Sequence, residues 1–179
     1  GAGTQNMLAL DSKRRVPQFS RLAETIKKHG ARALLQIYHA GSQATSFMIG
    51  LKPVGPSNVP FRMSGETPRP LKKREIREIV WGYAKACNLA MKAGFDGVEI
   101  HARHGYLLNQ FFSPLTNKRR DEYGGSFDDR IRLHIEVLGA VRGNCSQDFI
   151  IGFRLNGRDY VEGGIELVES DFVCVNNIV

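Results

Sequence analysis

The sequence predicts a parallel α/β protein, and it favours a barrel over an open sheet. Three short apolar segments, each followed by polar residues, alternate with segments of helical periodicity. Strands joined through helices in this order run parallel, with right-handed crossovers. No G-x-G-x-x-G motif follows any of the three strands, which removes the main reason to expect a dinucleotide-binding open sheet.

The first half of the chain contains a helix, a strand, a long loop and a second helix. Apolar residues at helical spacing predict a helix over residues 17–29, which Gly30 ends. Residues 33–38 are almost wholly apolar, as expected for a parallel strand covered on both faces. Prolines interrupt any regular period between residues 42 and 71, and long loops in compact domains are usually functional. A second amphipathic helix is predicted over residues 75–93.

The second half repeats the alternation of strand and helix. A β-branched strand is predicted over residues 96–100, directly after the second helix. Ser126 and Asp129 have the spacing of a capping box, which predicts a helix that runs to about residue 143. Residues 149–155 are then expected to form the third buried strand.

Composition and charge argue against several classes of protein. No apolar run approaches the roughly 18 residues of a membrane helix, and the first residues include no apolar signal core. We therefore expect no membrane association and a cytoplasmic location. The net charge is +7, but no aromatic residues alternate with the basic clusters, so nucleic acid is not an expected partner. A positive field suits anionic cofactors or substrates.

The cysteines are expected to be isolated thiols. Cys87, Cys145 and Cys174 are far apart and odd in number. They fit neither a disulfide framework nor the spacing of a zinc or iron–sulfur site. No redox or metal role is assigned to them.

The segment from residue 96 to residue 125 carries the strongest functional signal. His101, His104 and Tyr106 follow its strand at once, before polar and glycine residues that no strand could continue. Barrel enzymes place their chemistry at the carboxyl ends of the strands. We therefore expect these three side chains to lie together at the mouth of the barrel.

The same segment resembles a known enzyme family. The run AGFDGVEIHARHGYLLNQFFSPLTNKRRDEYGGSFDDR, with the upstream ALLQIYHAG and the downstream IIGFRLNG, is similar to the Old Yellow Enzyme family of flavin-dependent ene-reductases. The H-x-x-H form at His101 and His104 is most similar to the branch that holds NADH:flavin oxidoreductases, 2-enoate reductases and dienoyl-CoA reductases. The resemblance implies a partial TIM (β/α)8 barrel, roughly strands 3 to 5 with their helices, that uses FMN and NAD(P)H.

The resemblance also implies a role for each site residue. Gln36 would hydrogen-bond the pyrimidine edge of the flavin, because its amide offers both a donor and an acceptor. Arg154 would place a permanent positive charge near flavin N1 and O2. His101 and His104 would hold the carbonyl or carboxylate oxygen of an alkene substrate, and Tyr106 would donate a proton to its α-carbon.

These residue types suit alkene reduction on chemical grounds as well. A hydride that arrives at the β-carbon pushes negative charge onto the activating oxygen, so imidazole N–H groups aimed at that oxygen stabilise the transition state. A phenol with a pKa of about 10 can protonate the strongly basic carbon that results. Tyr106, two residues after His104, could face the same cavity.

Structural roles remain open for several of these residues. Gln36 could instead pair with buried backbone, and Arg154 could form an ion pair with Asp159 or Glu162. His39, which follows the first strand, is equally well explained as a structural hydrogen-bonding residue. Four further residues of the motif are expected to shape the loop and the barrel rim: Asn109, Gln110, Asp121 and Tyr123.

The resemblance covers only part of a barrel. Residues 1–164 correspond to the central portion, and residues 165–179 are expected to be an atypical, truncated tail in which six residues stand where a crossover helix is needed. The family's first strand, most of its second, and everything after its fifth are absent, including the residues that bind the FMN phosphate. We therefore expect the isolated chain to have lost most cofactor affinity and activity. An iron–sulfur cluster would belong only to a longer parent protein.

Two other functions are weighed against the ene-reductase. The fragment could be a non-catalytic partial barrel that associates with another chain, or forms a homo-oligomer, to complete the barrel. A metal-dependent barrel hydrolase could use His39, His101 and His104, but the acidic ligand expected at a strand mouth is hard to find.

Overall fold

The computed structural model describes residues 2–171, and each predicted helix and strand is present within two residues of its expected bounds. The tail predicted at residues 165–179 lies outside the described residues from residue 172 onward. The elements, in chain order and apart from 3-10 turns at Lys13–Arg15 and Gly41–Gln43, are α1 (Val16–Lys27), β1 (Leu34–Ile37), α2 (Ser46–Ile49), β2 (Val54–Gly55), β3 (Arg69–Pro70), α3 (Lys73–Lys92), β4 (Gly97–Ala102), α4 (Leu107–Phe112), α5 (Phe127–Arg142) and β5 (Ile150–Leu155).

The main sheet is parallel and has the order β1, β4, β5. Helix α3 connects β1 to β4 and α5 connects β4 to β5, so each crossover contains a helix as predicted. The register pairs Gln36 with Glu99, Glu99 with Gly152, and His101 with Arg154. Because side chains alternate along a strand, these residues share one face of the sheet, which we call the inner face.

The opposite face of the sheet packs against the helices. Val98, Ile100 and Ala102 of β4 are fully buried there. Helix α3 buries a stripe that includes Ile76 and Cys87, and α5 buries a stripe at a spacing of four residues: Leu133, Val137 and Val141. Each fully buried leucine or valine contributes roughly 1.5–3 kcal/mol relative to exposure. This packing holds β4 in place beneath the candidate site.

The predicted N-cap of α5 at Ser126 is confirmed, but the reciprocal half of a capping box is not formed, because the Asp129 carboxylate accepts from the Ser126 hydroxyl and not from its backbone N–H. The Ser126 hydroxyl accepts a hydrogen bond from the backbone N–H of Asp129 at 3.2 Å, and it donates to the Asp129 carboxylate at 2.7 Å. A cap of this kind typically contributes about 1 kcal/mol to helix stability. None of the helices in residues 2–171 is both long and apolar enough to cross a membrane.

The expectation that the cysteines are isolated thiols is wrong for two of them. Cys87 of α3 and Cys145, just after α5, lie with their sulfur atoms adjacent and their Cα atoms 7.1 Å apart, slightly beyond the usual span of a disulfide. They are 58 residues apart in sequence, and they meet because α3 and α5 pack side by side. Cys174 lies outside the described residues.

A buried histidine in α5 predicts a loss of stability in mild acid. The His134 ring packs between Phe112 and Phe153, and burial lowers its pKa to about 4. An unfolded histidine, with a pKa of about 6.5, takes up its proton before the folded one does. Stability therefore falls as the pH drops below about 6.5, and we expect His134 to account for a loss of about 2 kcal/mol between pH 7 and pH 5.

Chemical denaturation at both pH values measures this loss. His134→Phe removes the titrating group and should flatten the pH dependence by that amount. His29→Gln, at an exposed position, should keep the wild-type pH dependence. Equal slopes for wild type and His134→Phe would contradict the assignment to His134.

Candidate active site

A tight turn brings the functional side chains back over the end of β4. His104 and Gly105 both have positive φ values, of 60° and 72°. Positive φ is unfavourable for a residue with a side chain, so the surroundings must hold His104 in place. The Gln43 side chain donates to the His104 carbonyl, and Asn109 accepts from the Gly105 N–H at 2.7 Å. Tyr106 then follows as the N-cap of α4.

Three predicted site residues form one cluster of rings. The centroid of the His101 ring lies 5.0 Å from that of His104 and 5.2 Å from that of Tyr106. A fourth ring, Tyr38, lies 4.8 Å from Tyr106 and 6.5 Å from His101. The sequence interpretation missed Tyr38. Its position two residues after Gln36 could have revealed it, because residues at that spacing share one face of a strand.

The two histidines interact with each other. His101 Nε2 lies 3.2 Å from His104 Nδ1, within hydrogen-bond distance. Burial, followed by the neighbouring His104 ring and the Arg154 guanidinium, lowers the pKa of His101. Two neutral imidazoles carry one N–H each, and this bond uses one of them. The pair in this arrangement therefore offers at most one N–H to a ligand, and two donors become available only when the contact opens.

Gln36 and Arg154 lie on the inner face on either side of β4. Gln36 is exposed and its amide N–H2 donates to Glu99, so the alternative pairing with buried backbone is wrong. Arg154 Nη1 lies 3.7 Å from Glu99 Oε1, so its ion-pair partner is Glu99 and not Asp159. Asp159 instead accepts hydrogen bonds from Ser113 and from the backbone N–H of Ile165, both at 3.0 Å.

Gln110 ties together the two loops that follow β1 and β4. Its side chain is buried, accepts from the Ser42 N–H at 3.1 Å and donates to the Gly105 carbonyl at 2.6 Å. It also approaches Gly41, where a Cβ atom would collide with the Gln110 amide. The prediction that this residue shapes the loop is confirmed.

His39 has a structural role. Its Nδ1 accepts a hydrogen bond from the Gly41 N–H at 3.0 Å, and burial lowers its pKa to about 3. Within residues 2–171, no group of three or more His, Cys, Asp or Glu side chains is arranged to hold a metal ion. The geometry therefore gives no support to the hydrolase that would use His39 with His101 and His104.

Parallel strands with imidazole and phenol groups at their carboxyl ends show the arrangement in which barrel enzymes place their chemistry. The chain belongs to the NADH:flavin oxidoreductase / NADH oxidase family, whose model matches residues 1–179. FMN and NAD(P)H are the cofactors of this family. Both the family and the partial barrel predicted from the sequence are confirmed.

Relatives and solved structures agree with this assignment. The chain is 44% identical over 168 residues to a metal reductase of Desulforamulus reducens, covering 94% of the chain and 25% of that protein. It is 37% identical to the NADH:acrylate oxidoreductase of Vibrio harveyi, covering 97% of the chain and 18% of that protein. The structure of a 2-naphthoyl-CoA reductase in complex with 2-naphthoyl-CoA superposes with a TM-score of 0.89 at 31% identity, covering 94% of the chain and 28% of that structure. The chain thus spans between 18% and 28% of the length of these proteins.

The inner face fits the ring system of FMN. The pyrimidine edge of a flavin carries carbonyl oxygens and an N–H group, which need donors and an acceptor. Gln36 supplies an amide and Arg154 a guanidinium on the same face, and both side chains are accessible. The described residues therefore match the polar edge of the ring.

Proposed function

We propose that the protein works as the central part of an FMN-dependent ene-reductase, which reduces activated alkenes with NAD(P)H. Its substrates would be α,β-unsaturated carbonyl, enoate or enoyl compounds. The observation that carries the proposal is the cluster of His101, His104 and Tyr106, in which His101 pairs directly with Arg154 and lies two residues beyond the partner of Gln36 on the same inner face. The names of two similar proteins, which refer to acrylate and to 2-naphthoyl-CoA, support this class of substrate.

Each site residue has a separate role in the proposed reaction. Bound FMN supplies the hydride. The N–H of the histidine pair holds the activating oxygen of the substrate and stabilises the negative charge that develops on it. Tyr106 delivers the proton to the α-carbon, because its ring belongs to the same cluster and a phenol is a suitable general acid for a strongly basic carbon. Arg154 holds its positive charge close to the ring edge that Gln36 also binds.

Flavin binding and turnover test the proposal directly. Because the isolated chain is expected to bind FMN weakly, the titration uses protein at high concentration. The flavin fluorescence should fall as FMN binds, and NADH or NADPH under anaerobic conditions should bleach the bound flavin. Acrylate or a neutral enone should then restore its colour.

Arg154→Met should weaken FMN binding about tenfold, as expected for the loss of a charge-assisted contact. Arg158→Met, a nearby exposed arginine paired with Glu166, serves as the control. Unquenched FMN at saturating protein would contradict the proposal.

A second candidate role is association through the open sides of the sheet. Among residues 2–171, β1 and β5 each pair with β4 alone, and Leu34 and Ile150 on the inner face are 43% and 44% exposed. Unpaired strand edges and exposed apolar side chains favour pairing with further barrel segments. Size-exclusion chromatography with light scattering should then show an oligomer, or a monomer that binds a hydrophobic dye. A compact monomer that binds no dye would exclude this role.

A further inference from the structure

Glu99 occupies the centre of the inner face, between the two residues assigned to the flavin. It lies on β4, the middle strand, and the register places Gln36 of β1 directly beside it. Arg154 of β5 lies on its other side, one pleat further along. The Glu99 side chain is 37% exposed, so it is neither a core residue nor a freely solvated one. One carboxylate thus bridges an amide and a guanidinium.

The contact with Gln36 determines which way that amide faces. A carboxylate can only accept hydrogen bonds, whereas a glutamine amide has a donor end and an acceptor end. Gln36 Nε2 donates to Glu99 Oε1. The reverse orientation would place two oxygens against each other, so the carboxylate excludes it. The carbonyl oxygen of Gln36 is therefore left free as an acceptor for a ligand.

The contact between Glu99 and Arg154 reduces the positive charge that this side of the inner face presents to a ligand. Arg154 Nη1 lies 3.7 Å from the oxygen that Gln36 also contacts. This distance is longer than a hydrogen bond but well within the range of a charge interaction. The negative charge of Glu99 therefore offsets part of the positive charge that Arg154 presents to the ring.

We propose that Glu99 is a positioning residue of the flavin site. It fixes the Gln36 amide so that its carbonyl oxygen accepts from flavin N3–H, and it sets the electrostatic influence of Arg154 on the ring. The inference rests on the proposed function, because it takes FMN as the ligand of this face. It adds to that function a residue that acts through Gln36 and Arg154.

Two substitutions separate the orienting effect from the charge effect. Glu99→Asp keeps the charge but shortens the side chain, which removes the contact with Gln36. We expect it to raise the dissociation constant for FMN about three- to tenfold, the range for one lost hydrogen bond. This effect should disappear in a Gln36→Leu background. Glu99→Gln keeps the size but removes the charge, and it should move the midpoint potential of bound FMN to a more positive value.

A matched control and three possible outcomes test whether Glu99 positions Gln36 and modulates Arg154. Glu24→Gln, on the exposed surface of α1, should change neither affinity nor potential. Wild-type affinity in Glu99→Asp, an unchanged effect of Glu99→Asp in the Gln36→Leu background, or an unchanged potential in Glu99→Gln would each overturn the inference.

Thermal unfolding monitored by circular dichroism verifies that each variant folds. Glu99→Asp, which retains the carboxylate, carries the test alone if Glu99→Gln does not fold. A wild-type protein that fails to bind FMN overturns the proposed function together with this inference. Wild-type FMN binding with unaffected Glu99 variants overturns the inference only.

Discussion

Replacing Tyr106 with phenylalanine should slow alkene reduction by a factor of about 10²–10⁴, the usual contribution of a general acid. The substitution removes only the hydroxyl, so the ring should still pack 4.8 Å from Tyr38 and 5.2 Å from His101. Reduction of the bound flavin by NAD(P)H needs no proton from this residue and should stay within a few-fold of the wild-type rate. The defect should therefore be confined to the step in which the alkene is reduced.

Stopped-flow measurement of the two half-reactions distinguishes this effect from general damage. Tyr160→Phe is the matched control, because Tyr160 is 85% exposed and lies outside the ring cluster of the site. The control should keep alkene reduction within a few-fold of wild type. If Tyr106→Phe reduces alkenes at the wild-type rate, or if both variants lose activity equally, Tyr106 is not the proton donor.

The parts of this site that depend on strand ends and side-chain alternation were predictable from the sequence. His101, His104 and Tyr106 follow an apolar strand directly, and the structure brings them together at its carboxyl end. Gln36 and Arg154 lie near the ends of two other apolar strands, and the parallel register places them on one face. Parallel pairing alone is enough to bring such residues together.

Features that depend on register and rotamer were not predictable from the sequence. Glu99 falls within the strand predicted over residues 96–100, and only the pairing of β1, β4 and β5 shows that it lies between Gln36 and Arg154. The contact between His101 and His104 depends on the left-handed turn at His104, which no propensity for histidine predicts. Cys87 meets a second cysteine only because two helices pack side by side.

Arg119 is expected to have the largest effect on stability, because its guanidinium joins three segments of the chain. It makes two hydrogen bonds to Asp121, at 2.9 and 2.7 Å, and donates to the carbonyls of Pro56 and Leu71 at 3.0 and 2.7 Å. The side chain is only 10% exposed and lies over the Phe111 ring. Arg119→Met removes the donor to the Pro56 and Leu71 carbonyls and the ion-pair partner of Asp121, so the free energy of unfolding should fall by about 3 kcal/mol.

Urea denaturation of Arg119→Met, Arg119→Lys and the neighbouring Arg120→Met measures this loss. Lysine keeps the charge but lacks the planar fork that reaches three acceptors at once, so it should recover little of the lost stability. Arg120 is exposed, and its substitution should change the unfolding free energy by less than about 0.5 kcal/mol. Similar values for the Arg119 and Arg120 variants would show that the hydrogen bonds of Arg119 add nothing. A large difference would show that the loop after α4 is fixed to the proline-rich segment, and that this connection supports the helix whose N-cap is Tyr106.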